Sequence, residues 1–518
     1  MSNTKRYIFI YFLIYIVVSL SLAEAFWGQF LGFGIGSYAA RRFSLILIIV
    51  CSAIFGSLFF GWVRLLGGPR SRFFVFIGFF VILFSCLASQ FNSTNGWSWI
   101  EVGLYLLYII SVSGLAKFFL SQRKGANFFW YGNFIPFVVG FCVIVYAILT
   151  IPVYIYSVSD GFGSIRSFIP WGFINIRYWS QVATWVLPIL PLAGANAFLW
   201  KGRFWRGAIF FSGALWWWIV FISVARGTAC SIFISTVFVL ILFKGSAKAW
   251  FIESIKYVFG GTLLWLLLSV IVPYVFFGGA DFPHGGLGSD GRGPLWLEAW
   301  NMALQHFPLG MGGQSWLTHS ILTEAYESSA RFAHPHNMYL MWAAEYGWLS
   351  VVGLLILFGG VGAHLVRRLD GLAACSSLQK LSLVSVTASV VAAMIHAGVS
   401  SVFITPASMI VGLIVFAMFW AEVSDQKGAG ECGGYAAVDE GIGFGEALWS
   451  KRLLRAGFFT VITLVCAFWV WGCVDYYRAM RADLPFYQTV LRKGVEPRFW
   501  LHGNFPRPPE LMPPSSRD

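Results

Sequence analysis

Residues 73–90 read FFVFIGFFVILFSCLASQ, and this stretch decides the class of fold. It contains no charged side chain. As a helix it would be about 27 Å long, close to the ~30 Å thickness of the hydrocarbon core of a bilayer. Similar apolar runs recur along the chain, and we place thirteen candidate spans at 7–23, 43–62, 73–90, 98–120, 130–152, 179–198, 207–224, 228–243, 257–277, 345–366, 381–403, 405–423 and 453–473. The sequence therefore predicts an all-α polytopic membrane protein with about 12–13 transmembrane helices.

The composition also indicates a membrane protein. Of the 518 residues, 58% are hydrophobic and 11% are charged, whereas soluble proteins carry about 25% charged residues. The net charge is +13, but Lys and Arg lie mostly in short connectors between apolar runs, where they orient the chain in a bilayer. We therefore expect no nucleic acid partner. The eight cysteines form no CxxC pair, which argues against a disulfide framework and a cysteine metal site.

The basic connectors predict how the chain is oriented. With the N-terminus inside, the cytoplasmic connectors all carry Lys or Arg, as the positive-inside rule requires. Arg41 and Arg42 are the exception, because they fall on the outer face. The first apolar run, 7–23, is long enough to be a retained span rather than a cleaved signal peptide.

This topology divides the chain into five regions. They are N-terminal transmembrane helices (1–152), transmembrane helices with outer-face arginines (153–277), a large outer loop with the candidate site (278–344), C-terminal transmembrane helices (345–473) and an outer tail (474–518). The tail is rich in proline and aromatic residues, which predicts an extended flap rather than a folded domain.

The outer loop re-enters the membrane through the polar stretch RFAHPHNMYL, residues 331–340. His336 is a candidate general base, because an unperturbed imidazole pKa of ~6.5 suits removal of a proton from a hydroxyl near neutral pH. Asn337 is a candidate to orient a ligand oxygen or to cap the following helix. His334 and Arg331 are secondary candidates. The spacing leaves both a catalytic site and a polar helix cap open.

Three arginines predicted on the same outer face could bind an anion. Arg226 stands between two spans, where an arginine is costly unless it snorkels to the interface or binds a phosphate. Arg177 precedes a span among aromatic residues, which is typical of an interfacial belt or of a surface that stacks on sugar rings. Arg292 precedes a predicted helix at Pro294–Leu304, where the free amides of the helix start would also favour an anion.

The outer loop is rich in histidine but lacks the spacing of a metal site. Its histidines are His284, His306, His319, His334 and His336. HExxH is absent and the HxH pair has no firm third ligand, so that we predict no metal. The glycine-rich stretch 278–293 contains no GxxxxGK[ST], which argues against a P-loop. The helix at 294–304 places Leu297, Trp300 and Leu304 on one face, and a short polar helix is predicted at 323–328.

Several of these residues carry a resemblance to a known family. His336-Asn337, followed after nine residues by Gly347, resembles the His-Asn-x9-Gly signature of the O-antigen ligase and polymerase superfamily of bacterial envelopes. Ser350 stands where the family pattern usually continues with Gly, Thr or Tyr, and Gly353 follows it.

Two further motifs occur in the family's order, so that the resemblance covers about residues 160 to 420. Arg226-Gly227 is similar to the family's Ser-Arg-Gly, with Ala225 in place of the serine. Arg292 through Trp296, followed by PLGMG at 308–312, is similar to the stretch that opens the family's large periplasmic loop.

The resemblance implies a GT-C-type membrane glycosyltransferase in the bacterial inner membrane, with its active site facing the periplasm. Such enzymes transfer a glycan from undecaprenyl pyrophosphate to an acceptor hydroxyl, and the family ligases are thought to invert the anomeric carbon without a metal or other cofactor. It implies that Arg226, Arg292 and Arg177 stabilise the pyrophosphate and that His336, with Asn337 beside it, activates or orients the acceptor hydroxyl.

The acceptor remains open at this stage. Lipid A–core would make an O-antigen ligase, a growing glycan would make an O-antigen polymerase, and a pilin serine or threonine would make a protein O-oligosaccharyltransferase. The tail, with Arg498-Phe499-Trp500 and Asn504-Phe505-Pro506, could help to grip a protein acceptor. A polysaccharide transporter or flippase is the alternative from another class, but the internal repeats and mid-membrane charges of such folds are not evident.

Overall fold

The structure is a computed structural model that describes residues 3–27, 37–58, 69–122, 128–160, 165–195, 203–277, 291–329, 332–424, 446–492, 494–508 and 511. These residues form helices and connections, with no strand among them. The helices are α1 (Asn3–Trp27), α2 (Ser37–Leu58), α3 (Pro69–Ser89), α4 (Ser98–Gln122), α5 (Phe128–Ser159), α6 (Ile176–Val186), α7 (Leu190–Ala195), α8 (Arg203–Ile222), α9 (Arg226–Phe243), α10 (Lys248–Trp265), α11 (Val272–Phe277), α12 (Arg292–Gln305), α13 (Ser315–Thr318), α14 (Glu324–Glu327), α15 (Met338–Tyr346), α16 (Trp348–Asp370), α17 (Ser377–Ala397), α18 (Pro406–Ser424) and α19 (Glu446–Phe486). The predicted all-α polytopic membrane fold is confirmed.

Ten helical stretches in the described parts of the chain are long and apolar enough to cross a membrane, fewer than the thirteen predicted. The predicted spans 228–243 and 257–277 fall in one long apolar helical stretch, Arg226–Phe276, which the 3-10 turn at Lys244–Ala247 divides into α9 and α10. The first predicted span, 7–23, lies within α1 (Asn3–Trp27), of which Ile14–Trp27 is described as an apolar helix. The span predicted at 179–198 is divided into α6 and α7 by a 3-10 turn at Leu187–Ile189, where the central proline has no amide hydrogen to continue the α-helical pattern.

α18 lies at the centre of the bundle. It packs against α4, α17, α6, α1 and α2, and nearly all of its residues are buried. At the side of the bundle, α3 and α16 form a close pair. A Cβ added to Gly78 would stand 2.8 Å from the carbonyl oxygen of Gly353. Small residues permit such close backbone contact, which is a main source of helix association in membranes.

Arg41 and Arg42, the exceptions to the positive-inside rule, are buried inside the protein. Arg42 donates hydrogen bonds to the carbonyl oxygens of Phe499 at 2.7 Å and Ile404 at 2.5 Å. Arg41 donates to the carbonyl oxygen of Glu24 at 3.1 Å. Both charges are therefore held by protein carbonyl groups, which gives the exception a structural reason.

The C-terminal region differs from its prediction. α19 continues past the predicted boundary at residue 473 to Phe486, and a π-helical turn follows at Tyr487–Leu491. Further along, Phe499 and Trp500 are 1% and 0% exposed and belong to the main hydrophobic core. The predicted flap is wrong for these residues, because burying their large aromatic surfaces is favourable.

The segment between α11 and α16 contains α12 to α15 and has a hydrophobic cluster of its own. Its buried members are Leu295, Ala299, Met302, Ala303, Trp316, Tyr326, Ala343 and Ala344. The predicted helix at 294–304 is confirmed as α12, and that at 323–328 is confirmed as α14, whose Thr323 side chain accepts a hydrogen bond from the amide of Tyr326. Residues 278–290 lie outside the described residues.

The predicted apolar face of α12 points away from this cluster. Leu297, Trp300 and Leu304 are 47%, 44% and 50% exposed. The ring of Trp300 contacts that of Trp348, the first residue of α16, with centroids 5.2 Å apart. The face therefore lies level with the end of a membrane span, a position that suits exposed tryptophan and leucine.

Candidate active site

His336 lies in an irregular segment directly before α15. Its φ of 57° is left-handed, a conformation that costs a non-glycine residue roughly 1–3 kcal/mol and persists only where the surroundings enforce it. The side chain is 9% exposed, and its ring packs edge-on against those of His334 and Phe332, with centroids 4.2 and 5.0 Å away. The chain thus holds this histidine in one buried and strained position.

The imidazole of His336 is neutral at physiological pH. Burial, followed by the positive charges of Arg177 and Arg292, lowers its pKa from 6.5 to about 3. The expected pKa of ~6.5 is therefore wrong for this environment. Its Nε2 is buried and has no hydrogen-bond partner within the described ranges. A buried nitrogen of this kind is poised to bond with a substrate group.

His334 supports the backbone next to the candidate base. Its Nδ1 accepts a hydrogen bond from the amide of His336 at 3.2 Å. Burial, then the charges of His336, Arg498 and Arg177, lowers the pKa of His334 well below 6.5. A neutral His334 can keep that nitrogen as an acceptor. Arg331, the other secondary candidate, lies outside the described residues.

Asn337 caps a helix in this structure. Its Oδ1 accepts a hydrogen bond from the amide of Leu340 at 3.1 Å, which begins α15. Such a cap stabilises a helix by about 1 kcal/mol. Of the two roles that the sequence left open for Asn337, the cap is the one that this geometry supports, and the cap also fixes the direction in which α15 leaves His336.

Arg177 and Arg226 stand at the starts of two neighbouring helices. Arg177 lies in the first turn of α6, which Asn175 caps, and Arg226 is the first residue of α9. Thr228 donates a hydrogen bond to the carbonyl oxygen of Ser180 at 2.8 Å, which holds the first turns of the two helices side by side. Both arginines are exposed, so that a ligand can reach a charge and helix-end amides together.

Arg292, from a different segment of the chain, also acts on this site. It is the first residue of α12, after Gly291 with a φ of 60°. Its charge acts on His336, as does that of Arg177. The charges of Arg177 and Arg292 thus lie close enough to affect His336, and the bond between α9 and α6 places the start of the helix that carries Arg226 beside that of Arg177.

His396 near the end of α17 belongs to the same region and was not predicted. Its Nδ1 lies 2.8 Å from the hydroxyl of Thr184, and its ring fills the space at Gly227, where a Cβ would stand 2.7 Å from Nε2. Gly227 of the Arg-Gly pair therefore makes room for this histidine. The sequence signal was weak, since His396 lies within a predicted apolar span without a motif.

The signature glycine has a conformational reason. Gly347 separates α15 from α16 with φ 82° and ψ 164°, a region that only glycine enters without strain. A Cβ there would collide with the carbonyl oxygen of Pro308 and stand 2.6 Å from Leu309 Cα. Ser350, the departure from the family pattern, donates to the carbonyl oxygen of Gly347 at 2.7 Å. The serine therefore stabilises the same turn.

In the part of the chain that is described, the histidines between α11 and α16 form no metal site. No group of three His, Cys, Asp or Glu side chains there could hold an ion. Instead, His319 Nε2 and Thr323 bond the carboxylate of Glu298 at 2.9 and 2.5 Å. Burial alone would raise the pKa of Glu298, but hydrogen bonds from His319, Thr323 and a backbone amide lower it. This cluster holds α12 against α14.

An apolar cavity of about 120 Å³ begins beside the first turn of α15. Its lining is aliphatic and aromatic, and includes Met338, Tyr339 and Trp342 of α15 together with Leu354 of α16. Tyr339 also donates to the carbonyl oxygen of Met394 in α17 at 2.8 Å. The cavity therefore lies among membrane helices, and its lining residue Met338 follows His336 by two positions in the sequence.

One comparison with known proteins matches part of the chain. Residues 207–358 match the family model described as O-antigen ligase. The matched residues include Arg226, Arg292 and His336, whereas Arg177 lies before them. Comparison with curated proteins finds no match. The family match confirms the resemblance to the O-antigen ligase and polymerase superfamily, and it supports a membrane glycosyltransferase activity of the ligase or polymerase type.

Proposed function

We propose that the protein moves a glycan from undecaprenyl pyrophosphate to an acceptor hydroxyl on the periplasmic face of the bacterial inner membrane. The observation that carries this proposal is the buried, neutral His336 with an unpaired Nε2 inside the field of Arg177 and Arg292. A neutral imidazole can accept a proton, and fixed cations beside it can hold an anionic leaving group.

The proposed reaction uses both the neutral imidazole and the nearby cations. The acceptor oxygen attacks the anomeric carbon, its proton passes to Nε2 of His336, and the bond from that carbon to the pyrophosphate oxygen breaks. The leaving undecaprenyl pyrophosphate takes the bonding electrons, and Arg177, Arg226 and Arg292 stabilise its charge. Attack opposite the leaving group inverts the anomeric carbon, and the arginines supply the cationic stabilisation without a metal.

Donor binding would also change the basicity of His336. The charges of Arg177 and Arg292 contribute to its low pKa, and a bound pyrophosphate offsets those charges. The pKa of His336 therefore rises when the donor is in place. In this mechanism the histidine is a stronger base in the donor complex than in the free enzyme, while burial, the largest cause of its low pKa, persists in both.

This coupling predicts a difference between two pH profiles. The acid limb of kcat, which reports the enzyme–substrate complex, is expected at a higher pH than the acid limb of kcat/KM, which reports the free enzyme. Arg292→Gln removes one of the charges, so it should move the acid limb of kcat/KM upward and lower kcat by about 100-fold or more. Steady-state transfer rates from about pH 2 to pH 8 measure both limbs, because the limb of the free enzyme follows the His336 pKa of about 3.

Arg166→Gln is the matched control for Arg292→Gln, since Arg166 lies in the described segment just before α6. It should leave both acid limbs in place. Coincident acid limbs for kcat and kcat/KM in the unaltered protein would contradict the coupling, as would an equal shift in both variants.

The apolar cavity suits the lipid chain of the donor. It starts beside Met338 and Tyr339 and runs among α4, α16, α17 and α18, so that a polyprenyl chain in it would bring its pyrophosphate to the site of His336. Each methylene that enters such a cavity contributes about 0.8 kcal/mol. The chain length of the donor should therefore affect its binding.

Leu354→Trp tests this placement. Leu354 lines the cavity and is 8% exposed; the larger ring should raise KM for an undecaprenyl-linked donor by roughly tenfold through lost apolar contact. KM for a donor with a lipid of two isoprene units should not change. Leu355→Trp is the control, because Leu355 is 66% exposed on the same helix. Equal KM changes for long and short donors would exclude the cavity as the lipid site.

For the acceptor, we propose lipid A–core, with a growing glycan or a pilin as alternatives. The pilin alternative drew on the tail residues Arg498-Phe499-Trp500, but these are buried in the protein and do not offer a grip for a partner. The test is transfer in liposomes from a defined undecaprenyl-pyrophosphate-linked glycan to each acceptor in turn. Glycosylated lipid A–core is the expected product, and failure with all three acceptors would refute the proposed activity.

A further inference from the structure

The tail places one arginine at the centre of the protein. Arg498 is 0% exposed, and its Nη2 donates to both carboxylate oxygens of Glu345 at 2.7 and 2.6 Å. Its Nε donates to Glu101 at 3.1 Å. Two buried carboxylates on α15 and α4 thus share one guanidinium, which is the fork geometry that arginine provides and lysine does not.

The same guanidinium reaches the segment that carries His336. Its Nη1 donates to the carbonyl oxygen of Ala333 at 3.1 Å, and Ala333 directly precedes His334. Glu345 lies near the end of α15, the helix that begins after Asn337. Arg498 therefore holds the chain on both sides of His336, at Ala333 before it and at Glu345 after it.

We propose that Arg498 is a positioning residue for transfer, acting through the backbone around His336. The inference rests on the proposed function, in which His336 accepts the proton. His336 occupies a left-handed conformation that persists only when neighbouring structure enforces it. The bonds of Arg498 to Ala333 and Glu345 supply such enforcement, because they hold the chain just before His336 and the helix that follows it.

Arg498 is itself fixed from the opposite side. Its carbonyl oxygen accepts hydrogen bonds from Tyr38 at 2.5 Å and from Arg42 Nη2 at 3.0 Å. Both donors lie on α2. The backbone of Arg498 is therefore held in place as well as its guanidinium, which a positioning residue requires.

The tail contains a matched control for this role. Arg507 is also buried, and its Nη1 and Nη2 bond the two carboxylate oxygens of Asp483, each at 2.6 Å. This pair joins the tail to α19 and has no contact with the segment at 332–337 among the bonds described. Arg507→Met therefore breaks a buried ion pair of the same kind without releasing Ala333 or Glu345.

The experiment compares Arg498→Met, Arg498→Lys and Arg507→Met in the full-length protein in liposomes. In Arg498→Met, kcat should fall by roughly 100-fold, the loss that a shift of about 1 Å at a catalytic group causes, while KM for the donor changes little. Arg498→Lys keeps the charge but not the fork, so kcat should lie between those of Arg498→Met and the unaltered protein. Arg507→Met should lower thermal stability but leave kcat within about threefold of the unaltered protein.

Hydrogen–deuterium exchange gives a second readout that does not depend on transfer. Exchange in a peptide covering 332–345 should rise in Arg498→Met and not in Arg507→Met. Equal losses of kcat in both Met variants, or unchanged exchange in that peptide, would overturn the inference. If Arg498→Met does not fold, Glu101→Gln and Arg498→Lys replace it. Each should then show a lower kcat and faster exchange at 332–345 than Arg507→Met. Absence of transfer by the unaltered protein would refute the proposed function instead, and the exchange comparison would still decide the role of Arg498.

Discussion

His336→Ala should abolish glycan transfer while the protein still accumulates in the membrane. In the proposed mechanism His336 takes the acceptor proton, and loss of a positioned general base lowers rates by about 10²–10⁴-fold. Alanine removes no buried ion pair and no partner of Nε2 among the described side chains, so that folding should survive. Transfer from undecaprenyl-pyrophosphate-linked glycan in liposomes, with thermal unfolding of the same samples, measures both effects.

His306→Ala is the control for this prediction. His306 ends α12, and its carbonyl oxygen accepts the hydrogen bonds of the following turn, which alanine keeps. Its transfer rate should stay within about threefold of that of the unaltered protein. A His336→Ala protein that transfers glycan at the normal rate would show that another group accepts the proton.

Gly347→Ala should destabilise the protein by roughly 3 kcal/mol or more, combining the strain of a conformation reserved for glycine with a steric collision. The added Cβ would strike the backbone of Pro308 and Leu309, which cannot rotate away as a flexible side chain can. The turn would open, and α15 would lose its angle to α16. A lower unfolding temperature and a lower yield of monodisperse protein in detergent are the expected results.

Gly359→Ala provides the comparison for Gly347→Ala. It lies on α16, and a Cβ there would meet nothing within 4 Å. Alanine inside a helix is more favourable than glycine by up to about 1 kcal/mol. The unfolding temperature should therefore stay the same or rise. A Gly347→Ala protein as stable as Gly359→Ala would mean that the turn can relax at little cost.

The fold was largely predictable because its signals are local. Long apolar runs mark the spans, and 3.6-residue periodicity marks α12. The predicted number of spans differs from the structure where an apolar run does not form one continuous helix. At Leu187–Ile189, for example, a 3-10 turn interrupts the run. The exposed face of α12 also escaped prediction, since the spacing of Leu297 and Trp300 shows only that they share a face and not what that face meets.

The candidate site was predictable only in part. The motif predicts His336, and the topology predicts Arg177 and Arg292 on the same face. The pKa of His336 could not be predicted, because it depends on burial and on charges distant in sequence. Arg498 could not be found by any local rule, because Glu101 is 397 positions away from it. The one available signal was the presence of ionisable residues such as Glu345 inside apolar stretches.

The hydrogen bond from Arg42 to the carbonyl oxygen of Phe499 also constrains how the protein is made. The two residues are separated by 457 positions, and synthesis at 5–20 residues per second takes roughly 20–90 s to cover that distance. During this time Arg42 lacks the carbonyl oxygen of Phe499, whereas another partner, Ile404, is made earlier. This hydrogen bond therefore forms only after all nineteen described helices have been synthesised, since residue 499 follows α19 in the chain.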